Sequence, residues 1–259
     1  MIALVAAEFI KIRTTRIWLG MLGLGLWFVL LSAGTYAALA GVRMDGEVAI
    51  PPVSEPATVR AIYGSASNGL LFVLILGILG FSGEFRHRTI DHTFLVTPRR
   101  GRVLAAKLAS YFLFGLAWGA VVVAFTAAVA VPALALRGGP VSPAGDGVPA
   151  ILCGTVLAMG LYALIGLGLG ALIRNQVAAI LVGIGWMQLL EGVIGLASPE
   201  AGRWLPGGAV RSITRMSVQF GGFENPPNLP AWGGVLLLLA YGTVFSALAA
   251  ATTMRRDVR

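Results

Sequence analysis

Six long apolar runs constrain this chain more than any other feature. They cover roughly Ile17–Ala40, Ala61–Phe81, Val103–Val131, Ile151–Ile173, Val177–Leu196 and Ala231–Thr253. At 1.5 Å of rise per residue, each is long enough as a helix to cross ~30 Å of hydrocarbon. Inside lipid a single segment can satisfy its own N–H and C=O groups only as a helix. The expected fold class is therefore an all-α membrane protein with six transmembrane helices. It would form one transmembrane domain over residues 1–259, with the bundle at 17–253 and a short tail at 254–259. Composition excludes the alternative of a water-soluble domain. With 57% hydrophobic and only 12% charged residues, too little polar surface exists to clothe a soluble globule.

The second run is the least uniform, because Ser65, Ser67 and Asn68 dilute its first half. The first invites confusion with a secretory leader: basic residues up to Arg16, an apolar stretch, then Ala38–Gly41 in the style of a cleavage site. At 24 residues the run Ile17–Ala40 exceeds the ~7–15 of a leader's apolar core, so it reads as a span. Gly115 and Gly119, and Gly166 and Gly170, give the small-residue spacing that lets membrane helices approach closely, although a chain with 35 glycines produces such pairs by chance.

Basic residues orient the bundle. Thirteen of the 19 Lys and Arg fall on the side that carries the N-terminus and six on the other, which makes the richer side, and both termini, cytoplasmic. The plasma or inner cell membrane is the expected location. Scattered charge with no basic stripe argues against nucleic acid and for membrane lipid. Residues 1–16 read as an amphipathic interfacial helix, with Ile2, Val5, Ala6, Phe9 and Ile12 on one face and Glu8, Lys11, Thr14 and Thr15 on the other. The outer segment Pro199–Pro230 mixes Trp204, Phe220 and Phe223 with turn residues. It reads as short half-buried helices folded against the outer mouth of the bundle.

Catalytic signatures are missing. The chain has no phosphate-binding GxxxxGK[ST] loop, no HExxH and no GxSxG, and its two lysines are Lys11 and Lys107. His87 and His92 stand five apart, the wrong spacing for two ligands on one helical face, and Cys153 has no second cysteine to pair with. One acid lies within a span. Glu191 comes three residues after Gln188 and four before Gly195, making a narrow polar stripe on the fifth helix. A charge in mid-bilayer costs about 2.5–3.5 kcal/mol on insertion scales, so Gln188 and Glu191 are candidates for a substrate path or gate. A hydrogen-bonded acid that fixes helix packing is the competing reading.

A charged island, Gly83–Lys107, separates the second and third spans with eight acidic or basic residues and two histidines. Ile90, Phe94 and Leu95 recur in it at helical spacing, and Pro98 ends the pattern. Such a short helix, held at the membrane face by two spans, can receive a push from a partner.

Three blocks, AEFIKIRTTR (Ala7–Arg16), GEFRHRTIDHTFLVTPRRGRVLAAK (Gly83–Lys107) and LASPEAGRWLPGGA (Leu196–Ala209), resemble the permease subunit of type-2 ATP-binding-cassette exporters of the short actinobacterial kind. The resemblance implies a coupling helix at about Glu84–Thr97 and re-entrant outer helices before the sixth span. It places Glu84, Phe85, Arg86, Arg88, Ile90, Asp91, Phe94 and Leu95 against an ATPase, although relatives often carry glycine at the position of Arg88. It also implies a second permease copy or homologue and two separate cytoplasmic ATPase subunits, which would hold ATP and Mg; no cofactor is expected in this chain. The function expected is export of a hydrophobic or amphipathic substrate such as a drug, peptide antibiotic or lipid. A non-transporting scaffold or sensor that docks a cytoplasmic partner is the alternative, and an intramembrane lipid enzyme with Glu191 as its acid is a third reading.

Overall fold

The computed structural model describes residues 2–44, 47–48, 50–86, 100–140, 142, 144–216 and 228–252. Among them are six helices long and apolar enough to cross a membrane: 17–39, 56–86, 101–136, 148–172, 176–197 and 231–251. Each overlaps one of the six apolar runs. In chain order the elements are α1 (Ile2–Thr14), α2 (Ile17–Leu39), α3 (Pro56–Gly64), α4 (Leu70–Arg86), α5 (Arg100–Leu136), α6 (Val148–Leu172), α7 (Gln176–Gly185), α8 (Glu191–Ala197), α9 (Pro199–Gly202), α10 (Pro206–Thr214) and α11 (Ala231–Ala251). A two-residue antiparallel pair, β1 (Arg43–Met44) with β2 (Glu47–Val48), lies beyond the first span.

The punctuation is chemical. Arg16 takes a left-handed conformation, φ 50°, and so turns the chain from α1 into α2. Asn175 caps α7 by accepting from the N–H groups of Val177 and Ala178 at 3.0 and 3.1 Å. Proline opens α3, α9 and α10, where the missing N–H would have had no helical partner. The second span is continuous but tightens into a 3-10 turn over Ser65–Gly69, the polar stretch that diluted its apolar pattern. Ser65 Oγ donates to the Ile62 carbonyl at 2.7 Å there, offering the backbone a local alternative.

α4 and α6 form the axis of the bundle. In the apolar stretches of the second and fourth spans 78% and 61% is buried inside the chain, against 11% in that of the fifth. Their seam is made of glycine. A Cβ on Gly166 or Gly170 would run into the carbonyl oxygens of Leu74 and Ile78, and one on Gly77 into that of Ala163. Nearer the N-terminus of α6, Gly115 and Gly119 of α5 pack against Met159, Gly160 and Val156 in the same way. Both GxxxG pairs are thus helix contacts within this chain. α10 sinks its Ala209, Val210 and Ile213 into the core, where Gly154 of α6 and Gly234 of α11 admit its backbone.

Candidate functional site

Charge is concentrated where α1 meets the bundle. Lys107 sits on α5, one turn inside the apolar run that begins at Val103, and is only 1% exposed. Its ammonium donates to Glu8 Oε2 of α1 at 2.7 Å and to Glu84 Oε1 at the end of α4 at 2.8 Å. Lys11 completes a ring. It donates to Glu8 Oε1 at 2.7 Å and to the same Glu84 Oε1 at 2.8 Å. Both lysines of the chain therefore serve one cluster, and two acids balance them. A lone buried ammonium would cost several kcal/mol, and the convergence of three elements gives Lys107 two carboxylate partners. The Phe81 ring, 5.6 Å from its Nζ, adds a cation–π contact. For Lys11, partial burial pulls the pKa down. Hydrogen bonds and charge from Glu8 and Glu84 outweigh that and hold it above its ordinary value, so it is a cation at neutral pH.

This arrangement changes the reading of α1. Glu8 lies on the face read from the sequence as polar, yet it is 5% exposed and points into the bundle beside Ile12, which that reading had put on the opposite face. Ile2, Phe9 and Ile10 are exposed instead. Glu8 and Lys107 were not among the sequence candidates. A signal for Lys107 was present: a lysine inside an apolar span needs a partner.

The island residues divide. Glu84 is buried in the cluster. Phe85 packs between Phe81, ring centroids 5.5 Å apart, and the guanidinium of Arg174 at 5.9 Å. Arg86 is exposed and its Nη1 donates to Gln176 Oε1 of α7 at 3.4 Å. Arg88, Ile90, Asp91, Phe94 and Leu95 lie outside the described residues, as does most of the helix expected at Glu84–Thr97.

A second polar point occurs at the far end of the fifth span. Between α7 and α8 the chain makes a π turn over Trp186–Leu190, closed by the Glu191 N–H on the Trp186 carbonyl. Such turns insert an extra residue and shift the register of the helix beyond them. Gln188 is left exposed, whereas Glu191 turns toward α10 and its Oε2 accepts the Gly207 N–H at 2.7 Å. The carboxylate thereby pins the first turn of α10, a helix N-terminus that favours negative charge. Oε1 of Glu191 has no hydrogen-bond partner. Glu191→Ala is expected to cost about 1–3 kcal/mol by orphaning the Gly207 N–H, while Glu191→Gln, which keeps an acceptor, stays close to the parent. Thermal unfolding of the two variants in detergent checks this, and equal melting temperatures would remove the link between α8 and α10.

Among the described residues no group of His, Cys, Asp and Glu is arranged to hold a metal ion. No family model matches the chain, and no curated protein matches it.

Proposed function

We propose that the chain is the membrane-spanning permease subunit of an ATP-driven exporter, working with separate cytoplasmic ATPases and a second permease copy or homologue. One observation supports this best. The Glu8–Lys11–Glu84–Lys107 cluster ties α1 to the two spans that flank residues 87–99, so a displacement of that segment would carry α1, α4 and α5 together. In this reading the end bearing α1 is cytoplasmic, residues Arg86 to Leu95 meet the ATPase, and α9 and α10 form the re-entrant outer element. Closure of the ATPases would push near Phe94, and the α4–α6 seam would pass that motion along the bundle to Glu191 and α10. Coupling of this kind requires the two ATPase states to contact the segment differently. The mostly apolar, uncharged surface of the spans favours hydrophobic or amphipathic cargo.

The test is purification of the tagged full chain from its native membrane. A stoichiometric cassette ATPase is expected to accompany it, and a co-purifying kinase in its place would point to a signalling scaffold. With the ATPase in hand, Phe94→Asp should lower substrate-stimulated ATP turnover by about 5- to 150-fold, the range of a typical coupling energy. Unaltered stimulation would rule the segment out as the coupling element.

A further inference from the structure

A cavity of about 550 Å³ opens between α1, the start of α2, the last turns of α4 and the first half of α5, with Gln176 of α7 also in its wall. That volume lies within the ~300–1,000 Å³ usual for small-molecule sites. The cavity is long and has two chemical ends. Along α4 its wall runs from Glu84 back to Leu76, about 12 Å at the helical rise. Lys11 belongs to the Glu84 end. Leu76 and Leu79 form the other end, together with Phe114 of α5 and the Trp18 ring, which stands edge-on to Phe114 at 6.4 Å between centroids.

The charge presented at the polar end is positive. Glu8 and Glu84 are 5% and 9% exposed, and each is held by both lysines. The Lys11 side chain is 45% exposed, and it spends only two of its three protons on those acids. Gln176 accepts from Arg86 through its Oε1, which leaves its two amide protons to a ligand. Arg13, Arg16 and Arg86 stand exposed at the same end of the bundle, where Glu8 and Glu84 are the only acids among the described residues. A cationic mouth backed by an apolar trough complements an anionic amphiphile, the chemistry of lipids that give a membrane surface its negative potential. We propose that the cavity binds an anionic phospholipid of the phosphatidylglycerol type. One phosphate oxygen accepts the third Lys11 proton, a second headgroup oxygen accepts from the Gln176 amide, and an acyl chain lies over Leu79, Leu76 and Phe114. Bound there, the lipid would fasten the start of the fifth span, the least buried of the six, to α1. The inference does not depend on transport.

Native mass spectrometry of the full chain, titrated with lipids in detergent, tests it. Phosphatidylglycerol is expected to bind about tenfold or more tightly than phosphatidylcholine, whose phosphate is neutralised by its own choline. Gly83→Leu puts a side chain into the cavity at a position where a Cβ meets nothing within 4 Å, and should cut phosphatidylglycerol binding about tenfold. Gln176→Leu, which removes the amide donor, should weaken it by about fivefold. Arg13→Gln removes an exposed charge that does not line the cavity, and should leave binding within about twofold. Inorganic phosphate and glycerophosphoglycerol, the head without chains, should fail to displace the lipid. Equal binding of phosphatidylglycerol and phosphatidylcholine would overturn the proposal, as would a preference for phosphatidylethanolamine. A loss in Arg13→Gln as large as in Gly83→Leu and Gln176→Leu would show diffuse attraction to a basic surface and no site. Displacement by the chainless head or by phosphate would show a free anion in place of a lipid.

Discussion

Lys107→Met is expected to destabilise the chain by about 3–5 kcal/mol, because it leaves Glu8 and Glu84 facing each other with only Lys11 between them. The side chain is nearly isosteric, so lost packing is a minor contribution. In detergent the melting temperature should fall by about 10 °C or more. Faster amide exchange in α1 should accompany the fall, since Lys107 holds Glu8, one of the two charged anchors of that helix. Adding Glu8→Gln and Glu84→Gln to Lys107→Met should recover much of the loss. Neutralising the acids removes the uncompensated charge, and replacing a buried ionic group with neutral or apolar ones is often close to neutral. A single Lys107→Met variant that melts with the parent would mean that the buried cluster does not form.

The second large effect is expected at the α4–α6 seam. Gly166→Val should cost about 3 kcal/mol or more, because the obstacle to a side chain is the Leu74 carbonyl, part of a helix backbone that cannot swing aside. The helices would have to separate along a seam that Gly77, Gly166 and Gly170 keep close. Gly20→Ala on α2 provides the control. Nothing stands within 4 Å of a Cβ at that position, so the change should lie within about 0.5 kcal/mol of the parent or slightly favour the helix. Comparable losses in both variants would show that glycine is needed for some general reason and not for close approach.

Much of the architecture was legible in the residues. Every apolar run corresponds to a helix of spanning length, because the hydrophobicity that signals a span is a local property needing no partner. The short helices α9 and α10 likewise announced themselves through proline and turn residues, although residues 217–227 of that segment lie outside the described part. The faces of α1 were harder. The sequence reading put Ile12 and Glu8 on opposite faces, but they stand four residues apart on one face and are buried together. Glu8 goes inward because Lys107, 99 residues away, waits there. On the fifth span the spacing of the candidate stripe is altered by the backbone. It assumed 3.6 residues per turn, and the π turn over Trp186–Leu190 separates Gln188 from Glu191.

Length and apolarity add up along the chain, so six membrane-crossing helices could be counted from the residues alone. Pairings of charge do not add up in that way. Glu84 sits on the charged island and reads there as a surface residue, yet convergence of α1, α4 and α5 buries it between two lysines. A charge in a low-dielectric interior is tolerated only where an opposite one is brought within hydrogen-bonding distance. That distance is a property of the packed helices.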